Sequence, residues 1–246
     1  METSLRVSNP WEGSPVFVRE RVSSTMDEAR ALAREGCAPG TVVVAGFQEK
    51  GRGRAPGRSW YSAPWESLLA TLVLDSRVLP FPLVQLPLRS ALAACRAVEE
   101  AAGVSLQIKW PNDLLHEGRK LAGILCETCG SAVLVGFGVN CTQSAFPEEL
   151  SGRVCSILQA SGREIVPLVL LPAVLAGMKA VIQSASWRDD VRSRLASRGL
   201  KVRVSRFQDE AVVEGTVRDV DDEGRLILED EHGSLLAVLQ GEVTRS

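Results

Sequence analysis

The chain has 246 residues, of which 45% are hydrophobic, and its 28 lysines and arginines nearly balance 30 aspartates and glutamates to leave a net charge of −2. These proportions are typical of a globular protein with one large core and room for a small second domain. Extended nucleic-acid binding usually leaves a basic excess, so the composition disfavours DNA or RNA as a partner.

The N-terminal segment and the cysteines indicate a compartment. The segment METSLRVSNPWEGSP has neither the basic nor the apolar part of a signal peptide, and no stretch reaches the roughly 20 apolar residues of a membrane span. We therefore expect a cytoplasmic protein without a membrane partner, in which the six cysteines are free thiols. Cys126 and Cys129 form a C-x-x-C pair, but a strand would point them to opposite faces, so no metal or redox site is predicted there.

Strands and helices alternate along the predicted first domain. Apolar and β-branched runs predict strands at 16–22, 41–47, 67–74, 105–110 and 132–140. Helical spacing of apolar residues predicts helices at 83–102, 167–184 and 187–199. A further helix is predicted at 25–35, because it begins with the capping-box form T-x-x-E and ends before Gly36. Ser24 and Thr25 are thus expected to cap this helix or to offer a polar group to a ligand at its N-terminus.

Short alternating strands follow in the C-terminal part. The segments are KVRVSR, AVVEGTVRDV, RLILED and LLAVLQGEVTR, with turns at 222–224 and 232–233. Four or five such strands predict a small SH3-like barrel. We therefore predict an α+β fold, a mixed β-sheet with packed helices in residues 1–198 and the barrel in residues 199–246.

A loop rich in glycine and arginine, QEKGRGRAPGRSW, occupies residues 48–60 directly after a predicted buried strand. Its glycines let the backbone approach a ligand closely, and its arginines can neutralise an anion. A solvated connector has a similar composition. The loop alone does not decide between an anion site and a connector.

A second motif, KWPNDLLHEGRKLAGILCE, occupies residues 109–127. Pro111 interrupts the strand and residues 117–119 form a predicted hairpin turn, which brings Asp113 and Lys120 close together. The ammonium of Lys120 is either a structural charge paired with an acid or a ligand for a phosphate. The next strand, AVLVGFGVN, lacks side chains at Gly136 and Gly138, where a ligand could lie against the sheet.

Together these motifs resemble a known family. QEKGRGRAPGRSW is similar to the biotin- and adenylate-binding loop of biotin protein ligases, KWPNDLLHEGRKLAGIL to their second signature, and VGFGVN to their glycine-bearing strand. The three motifs occur in the family's order, and the resemblance extends over essentially the whole chain. It implies a class II synthetase-like catalytic domain followed by the SH3-like domain.

The resemblance implies an enzyme that activates biotin with Mg²⁺ and ATP to biotinyl-5′-AMP and then transfers biotin to a lysine of a biotin carboxyl carrier protein. It assigns catalytic roles to Lys120, Arg52, Arg54 and Asp113. It assigns biotin binding to Ser24, Thr25, Gln48, Gly51, Arg52, Gly53, Arg54, Lys120, Gly123, Gly136 and Gly138. It assigns nucleotide binding to Arg54, Arg58, Trp60, Asn112, Lys120 and Asn140. Asp113 is expected to be a Mg²⁺ ligand or a base.

The chain departs from the family pattern in two places. Met26 stands where a polar asparagine is common, and Ala55 and Pro56 stand where many relatives have one residue, which shifts the register of Arg58. The segment before the first strand is too short for a helix-turn-helix domain, so we expect a monofunctional ligase. The alternatives are a lipoate-type acyl-adenylate ligase, a non-catalytic biotin-sensing regulator and a pure interaction module. The sequence is compatible with a monomer and with a homodimer.

Overall fold

Two β-sheets and five helices organise the chain in the computed structural model, which describes residues 7–55, 57–206 and 211–245. The strands of the first sheet are β1 (Val16–Val22), β2 (Val42–Gln48), β3 (Ser67–Asp75), β4 (Gln107–Lys109), β5 (Asp113–His116), β6 (Arg119–Cys129) and β7 (Ala132–Asn140). Their order across the sheet is β1-β2-β3-β7-β6-β5-β4. Only β1 and β2 are parallel, and the other neighbouring pairs are antiparallel.

The helices are α1 (Thr25–Arg34), α2 (Leu86–Ala102), α3 (Ile157–Ser161), α4 (Pro167–Ile182) and α5 (Trp187–Arg194). Alternate residues of the strands face different helices. Val42 and Val44 of β2 belong to the large core shared with α2 and α4, whereas Val43 packs with Met26 and Ala29 of α1 on the opposite face. The first sheet is therefore buried on both faces, as its continuous apolar strands predicted.

Of the two residues predicted to cap α1, Ser24 is the cap. Its backbone is extended and its hydroxyl accepts a hydrogen bond from the amide of Met26 at 3.3 Å. Thr25 is instead the first helical residue. Because the capping bond comes from Ser24, the hydroxyl of Thr25 is available for another partner.

Two other predicted boundaries were wrong. The helix predicted at 187–199 ends at Arg194, because the chain turns there to pair Leu195 with Ile108 of β4. The last predicted strand is divided into two by residues 239–241. The short helix α3 was not predicted, since five residues between Ser156 and Gly162 are too few to show a helical period.

The second sheet contains β8 (Lys201–Ser205), β9 (Val212–Val220), β10 (Leu226–Glu229), β11 (Leu235–Val238) and β12 (Glu242–Arg245). All its pairs are antiparallel, in the order β11-β10-β9-β8-β12. Within the described residues, the end strands β11 and β12 are not paired to each other. Closure into an SH3-like barrel and the boundary between residues 1–198 and 199–246 stay predictions.

Direct hydrogen bonds fix the second sheet against the first domain. The indole N–H of Trp110 donates to the buried carbonyl of Gly224 at 2.9 Å, and the Gln85 amide donates to the carbonyl of Asp222 at 2.6 Å. Arg192 of α5 donates to the carboxylate of Asp219 at 2.7 Å. The turn between β9 and β10 is therefore held by α2, α5 and the end of β4.

The prediction of unpaired thiols is confirmed for all six cysteines, each of which the structure describes. Burial raises the pKa of Cys95, Cys126 and Cys141 to about 12, so these thiols stay protonated and unreactive near neutral pH. In the described ranges, no helix has both the length and the apolar character needed to cross a membrane.

Trp110→Phe tests the bond between the two sheets. We expect the free energy of unfolding to fall by about 1–3 kcal/mol, because the change leaves the buried carbonyl of Gly224 without its donor. Chemical denaturation measures this difference. Trp65→Phe is the matched control, since its indole donates at 3.0 Å to the exposed carboxylate of Glu20 and should cost less. An equal loss in both variants would show that the Gly224 bond contributes nothing specific.

Candidate active site

A cleft that is partly open to solvent lies on the face of the first sheet that also packs against α1. Its floor lies along two neighbouring rows of paired residues across β3, β7 and β6, in which all but Thr71 line the cleft. One row pairs Leu69 with Gly138 and Gly138 with Gly123. The neighbouring row pairs Thr71 with Gly136, which in turn pairs with Leu125. The predicted glycines Gly123, Gly136 and Gly138 therefore lie in two adjacent rows and leave this part of the sheet without side chains.

Two large side chains lie over the bare floor. A Cβ on Gly136 would be 2.9 Å from the sulfur of Met26, and a Cβ on Gly138 would be 2.8 Å from the indole of Trp60. Both distances are too short for real atoms, so a side chain at either position would force Met26 or Trp60 to move. Within the described chain, the buried Nε1 of Trp60 has no hydrogen-bond partner. The indole thus has a donor left for a ligand.

Hydroxyl and amide groups form one end of the cleft. Gln48 Oε1 accepts from the backbone N–H of Thr25 at 2.8 Å and from its hydroxyl at 2.9 Å. Ser24, 2% exposed, lines the same end. The structure therefore brings together the three polar residues that the resemblance assigned to biotin.

Lys120 and Arg54 line the cationic end of the cleft. The ammonium of Lys120 lies 2.7 Å from a carboxylate oxygen of Asp113 and 5.7 Å from the centre of the Trp60 ring. The predicted proximity of Lys120 and Asp113 is confirmed. Lys120 is thus a paired lysine that also borders the cleft, so the two interpretations of its charge are compatible.

The guanidinium of Arg54 donates to the carbonyl of Gly241, which belongs to the second sheet's domain. Burial lowers the pKa of Arg54, although the charges of Asp113 and Glu242 act in the opposite direction. The positive charge is therefore partly desolvated. An anion placed beside it would offset that cost.

Arg52 lies at the rim of the cleft and forms a two-pronged ion pair with Asp27 of α1, at 2.8 and 3.0 Å. These hydrogen bonds lower the pKa of Asp27 and raise that of Arg52. Both side chains stay partly exposed, at 38% and 44%. In this structure Arg52 therefore anchors the loop to α1 and does not face the centre of the cleft.

Four predicted site residues lie outside the cleft lining, namely Gly51, Arg58, Asp113 and Asn140. Arg58 is exposed and lies 3.6 Å from the carboxylate of Glu242. Asn140 is buried, and its amide donates to the carbonyl of Cys155 at 3.0 Å. Asn140 lies at the end of β7, where this bond gives it a structural role. Asn112 lines the cleft as predicted and donates to the carbonyl of Ile124 at 2.7 Å.

Sequence reasoning missed the apolar walls. These residues come from three strands and include both faces of the sheet, so the period of two does not single them out. They are Leu69, Ile124, Leu125 and Phe137. The partners Asp27, Gly241 and Glu242 were also missed, because no local pattern announces a contact between distant segments.

A nucleotide-borne metal ion fits the carboxylate that borders the cleft. In the part of the chain that the structure describes, no three histidine, cysteine or acidic side chains come together to hold a metal by themselves. Asp113 is one carboxylate, with Lys120 on one of its oxygens. Mg²⁺ commonly takes one or two protein carboxylates and completes its shell with phosphates and water. Asp113 thus suits a Mg²⁺ ion that arrives with a nucleotide.

Comparisons with known proteins agree with this geometry. Residues 18–144 match the model of the Biotin/lipoate A/B protein ligase family, and residues 201–245 match that of the Biotin protein ligase C terminal domain. The chain is 34% identical to the biotin--[acetyl-CoA-carboxylase] ligase of Mycobacterium tuberculosis, over 91% of this chain and 86% of the relative. It is 31% identical to the bifunctional ligase/repressor BirA of Bacillus spizizenii, over 90% of this chain and 71% of that relative.

Solved structures show the same fold. The biotin protein ligase from Aquifex aeolicus, solved in complex with biotin and ATP, superposes with a TM-score of 0.84 and 27% sequence identity. The alignment covers 94% of this chain and 99% of that one. The structural similarity therefore includes both sheets. The chain belongs to the biotin protein ligase family.

Proposed function

We propose that this protein activates biotin with ATP to biotinyl-5′-AMP and transfers biotin to a lysine of a biotin carboxyl carrier protein. The observation that carries this proposal is the polarity of the cleft. Ser24, Thr25 and Gln48 form a hydrogen-bonding end, and Arg54 and Lys120 form a cationic end. The glycine floor between them, which carries no side chains of its own and lies under Trp60 and Met26, suits an apolar ring system that has a urea at one end and a carboxylate at the other.

The first step joins two anions. A carboxylate oxygen of biotin attacks the α-phosphorus of ATP, a new P–O bond forms, and the bond to the β-phosphate oxygen breaks to release pyrophosphate. Arg54 and Lys120 lower the repulsion between the reactants and stabilise the charge that develops on the phosphorus centre. Asp113 would be one ligand of a Mg²⁺ ion that arrives with ATP, and such an ion would supply further positive charge.

Lys120 acts electrostatically in this scheme. Asp113 lies 2.7 Å from its ammonium and holds it beside the cleft that Lys120 lines. A protonated lysine stabilises negative oxygens but cannot take a proton from the incoming amine. Asp113 is therefore the candidate base for the second step as well as a candidate metal ligand.

The second step is an acyl transfer. The neutral amine of the carrier lysine attacks the carbonyl carbon of biotinyl-5′-AMP, an amide bond forms, and AMP leaves with the electrons of the broken C–O bond. Water must be kept from the mixed anhydride during this step. Trp60, which covers Gly138 and Gly123, is placed to shield it.

The arginines of the loop keep their proposed roles in substrate binding. Arg52 reaches the carboxylate only by leaving Asp27, and Arg58 reaches the nucleotide only by leaving Glu242. On ligand binding, each arginine then exchanges a protein carboxylate for an anionic group of the substrate. Both pairs are exposed, so such an exchange costs little.

The setting of the reaction is also part of the proposal. The protein works in the cytoplasm, where ATP and the carrier protein are available, without nucleic acid or a membrane as partners. A homodimer through a sheet edge is compatible with the free edge of β1. Lipoate activation and biotin sensing without catalysis are the competing functions.

Transfer of label decides among these functions. We expect labelled biotin, Mg·ATP and an apo carrier domain to give label on the carrier, together with biotin-dependent exchange of pyrophosphate into ATP. Labelled lipoate is the parallel substrate and should give neither. Binding of biotin without exchange or transfer would favour a sensor and contradict the ligase proposal.

Lys120→Met should lower the rate of biotin-dependent pyrophosphate exchange by at least about 100-fold, since it removes a charge that stabilises the transition state. The methionine keeps most of the side-chain volume beside Trp60. Lys201→Met, an exposed change on β8, is the matched control and should keep the wild-type rate. Thermal unfolding must show both variants folded. A wild-type rate in folded Lys120→Met would exclude the proposed role.

Gly138→Ala should lower biotin affinity by about 10-fold or more, because a methyl group there displaces the indole of Trp60 and overpacking costs about 1–3 kcal/mol. Titration calorimetry measures the affinity. The double variant Gly138→Ala with Trp60→Leu should recover part of it by removing the collision. If the second change brings no recovery, the contact with Trp60 is not the reason for glycine at this position.

A further inference from the structure

A buried threonine lies behind the polar end of the cleft without lining it. Thr71, in the middle of β3, is fully buried, and its hydroxyl oxygen lies 2.8 Å from the hydroxyl oxygen of Thr25. Thr25 in turn contacts Gln48 at 2.9 Å. Three side chains from β3, α1 and β2 thus form one hydrogen-bonded chain that begins in the core and ends at the cleft.

The direction of every bond in this chain is determined. The backbone N–H of Thr25 can only donate, so the Gln48 atom at 2.8 Å from it is the carbonyl oxygen Oε1. The hydroxyl of Thr25 must then donate to the same oxygen, which uses its single proton. Thr71 is therefore the donor to Thr25. Each hydroxyl thus donates to the next side chain, Thr71 to Thr25 and Thr25 to Gln48.

This order decides which group Gln48 offers to a ligand. Its oxygen is occupied by two donors, so its Nε2 is the atom left to meet a ligand. That nitrogen lies 3.0 Å from the position that a Cβ on Gly51 would occupy, which explains why the first residue of the GRGR sequence has no side chain. Gln48 thus presents N–H donors and no acceptor.

We propose that Thr71 is a positioning residue that fixes the donor polarity of Gln48 through Thr25, so that the site selects a substrate with a hydrogen-bond acceptor at this end. The inference rests on the proposed function. For biotin, the acceptor is the carbonyl oxygen of the urea. A ligand that presents only donors here places N–H against N–H, which leaves both unsatisfied and is penalised accordingly.

The discriminating probe is 2-iminobiotin, in which a guanidinium replaces the urea and presents only N–H donors at neutral pH. Titration calorimetry on the full chain gives dissociation constants for biotin and 2-iminobiotin without requiring catalysis. The measured quantity is the ratio of the two constants, because a general loss of packing lowers both affinities and leaves the ratio unchanged. For the wild type we expect biotin to be preferred by at least about 100-fold, since a cation meets the donors of Gln48.

Gln48→Glu tests the polarity. It keeps an oxygen for Thr25 and replaces Nε2 with a second oxygen, so the preference for biotin should fall by at least about 10-fold. Thr71→Val tests the positioning role. It keeps the shape of the side chain but removes the donor, which allows the amide of Gln48 to rotate, and the preference should fall by about 3- to 10-fold.

Three further variants make the result decisive. Thr71→Ser keeps the hydroxyl and should retain the wild-type ratio. Thr41→Val removes an equally buried hydroxyl, which donates to the carbonyl of Ala38 at 2.7 Å away from the cleft, and should also retain it. Thr25→Val breaks the chain at the next bond and should reproduce Thr71→Val, which keeps the test valid if Thr71→Val does not fold.

An unchanged ratio in Gln48→Glu would overturn the assigned polarity. A changed ratio in Gln48→Glu with unchanged ratios in Thr71→Val and Thr25→Val would overturn the positioning role. An equal fall in Thr41→Val would mean that lost packing is responsible, and would also overturn it. A wild-type protein that binds neither compound would instead contradict the proposed function, so the two failures are distinguishable.

Discussion

The site depends on a region of β-sheet that carries no side chains. Gly138 and Gly123 face each other across β7 and β6, and Gly136 lies in the next row. Glycine weakens a strand interior. Here the loss is offset by long neighbouring pairings, since β3 and β7 are in register from Ser67 with Asn140 to Asp75 with Ala132. The result is a flat floor on which the indole of Trp60 and the sulfur of Met26 lie in direct contact with the backbone.

Three of the cations in and around the cleft are paired with carboxylates before any substrate arrives. Lys120 is paired with Asp113, Arg52 with Asp27, and Arg58 with Glu242. The sequence motifs show these lysine and arginine residues but not the carboxylates that pair with them. The composition of the motifs therefore overstates the net positive charge of this region. The net charge of −2 for the whole chain agrees with such local compensation. Substrate anions therefore enter a site whose cations are already oriented by carboxylates.

Strong local patterns made most of the fold predictable. Continuous apolar runs located β1, β2, β3 and β7, and the motif glycines located the floor of the cleft. The end of α5 was not predictable, because it depends on pairing between Leu195 and Ile108. Thr71 resembled any interior residue of an apolar strand, since its partner Thr25 comes from a distant segment. Contacts between distant segments have no local pattern, and they decide which motif residues face the cleft.

The glycine- and arginine-rich loop beside the cleft contacts both domains. Arg54 is bonded to the carbonyl of Gly241, and Arg58 lies beside Glu242 at the start of β12. A ligand that draws either arginine away from residues 241–242 loosens its contact with the second sheet's domain. Binding free energies are reciprocal, so a partner that displaces residues 241–242 must change affinity for that ligand by the same factor. Displacement of residues 241–242 and occupation of the cleft are therefore thermodynamically linked through these two arginines.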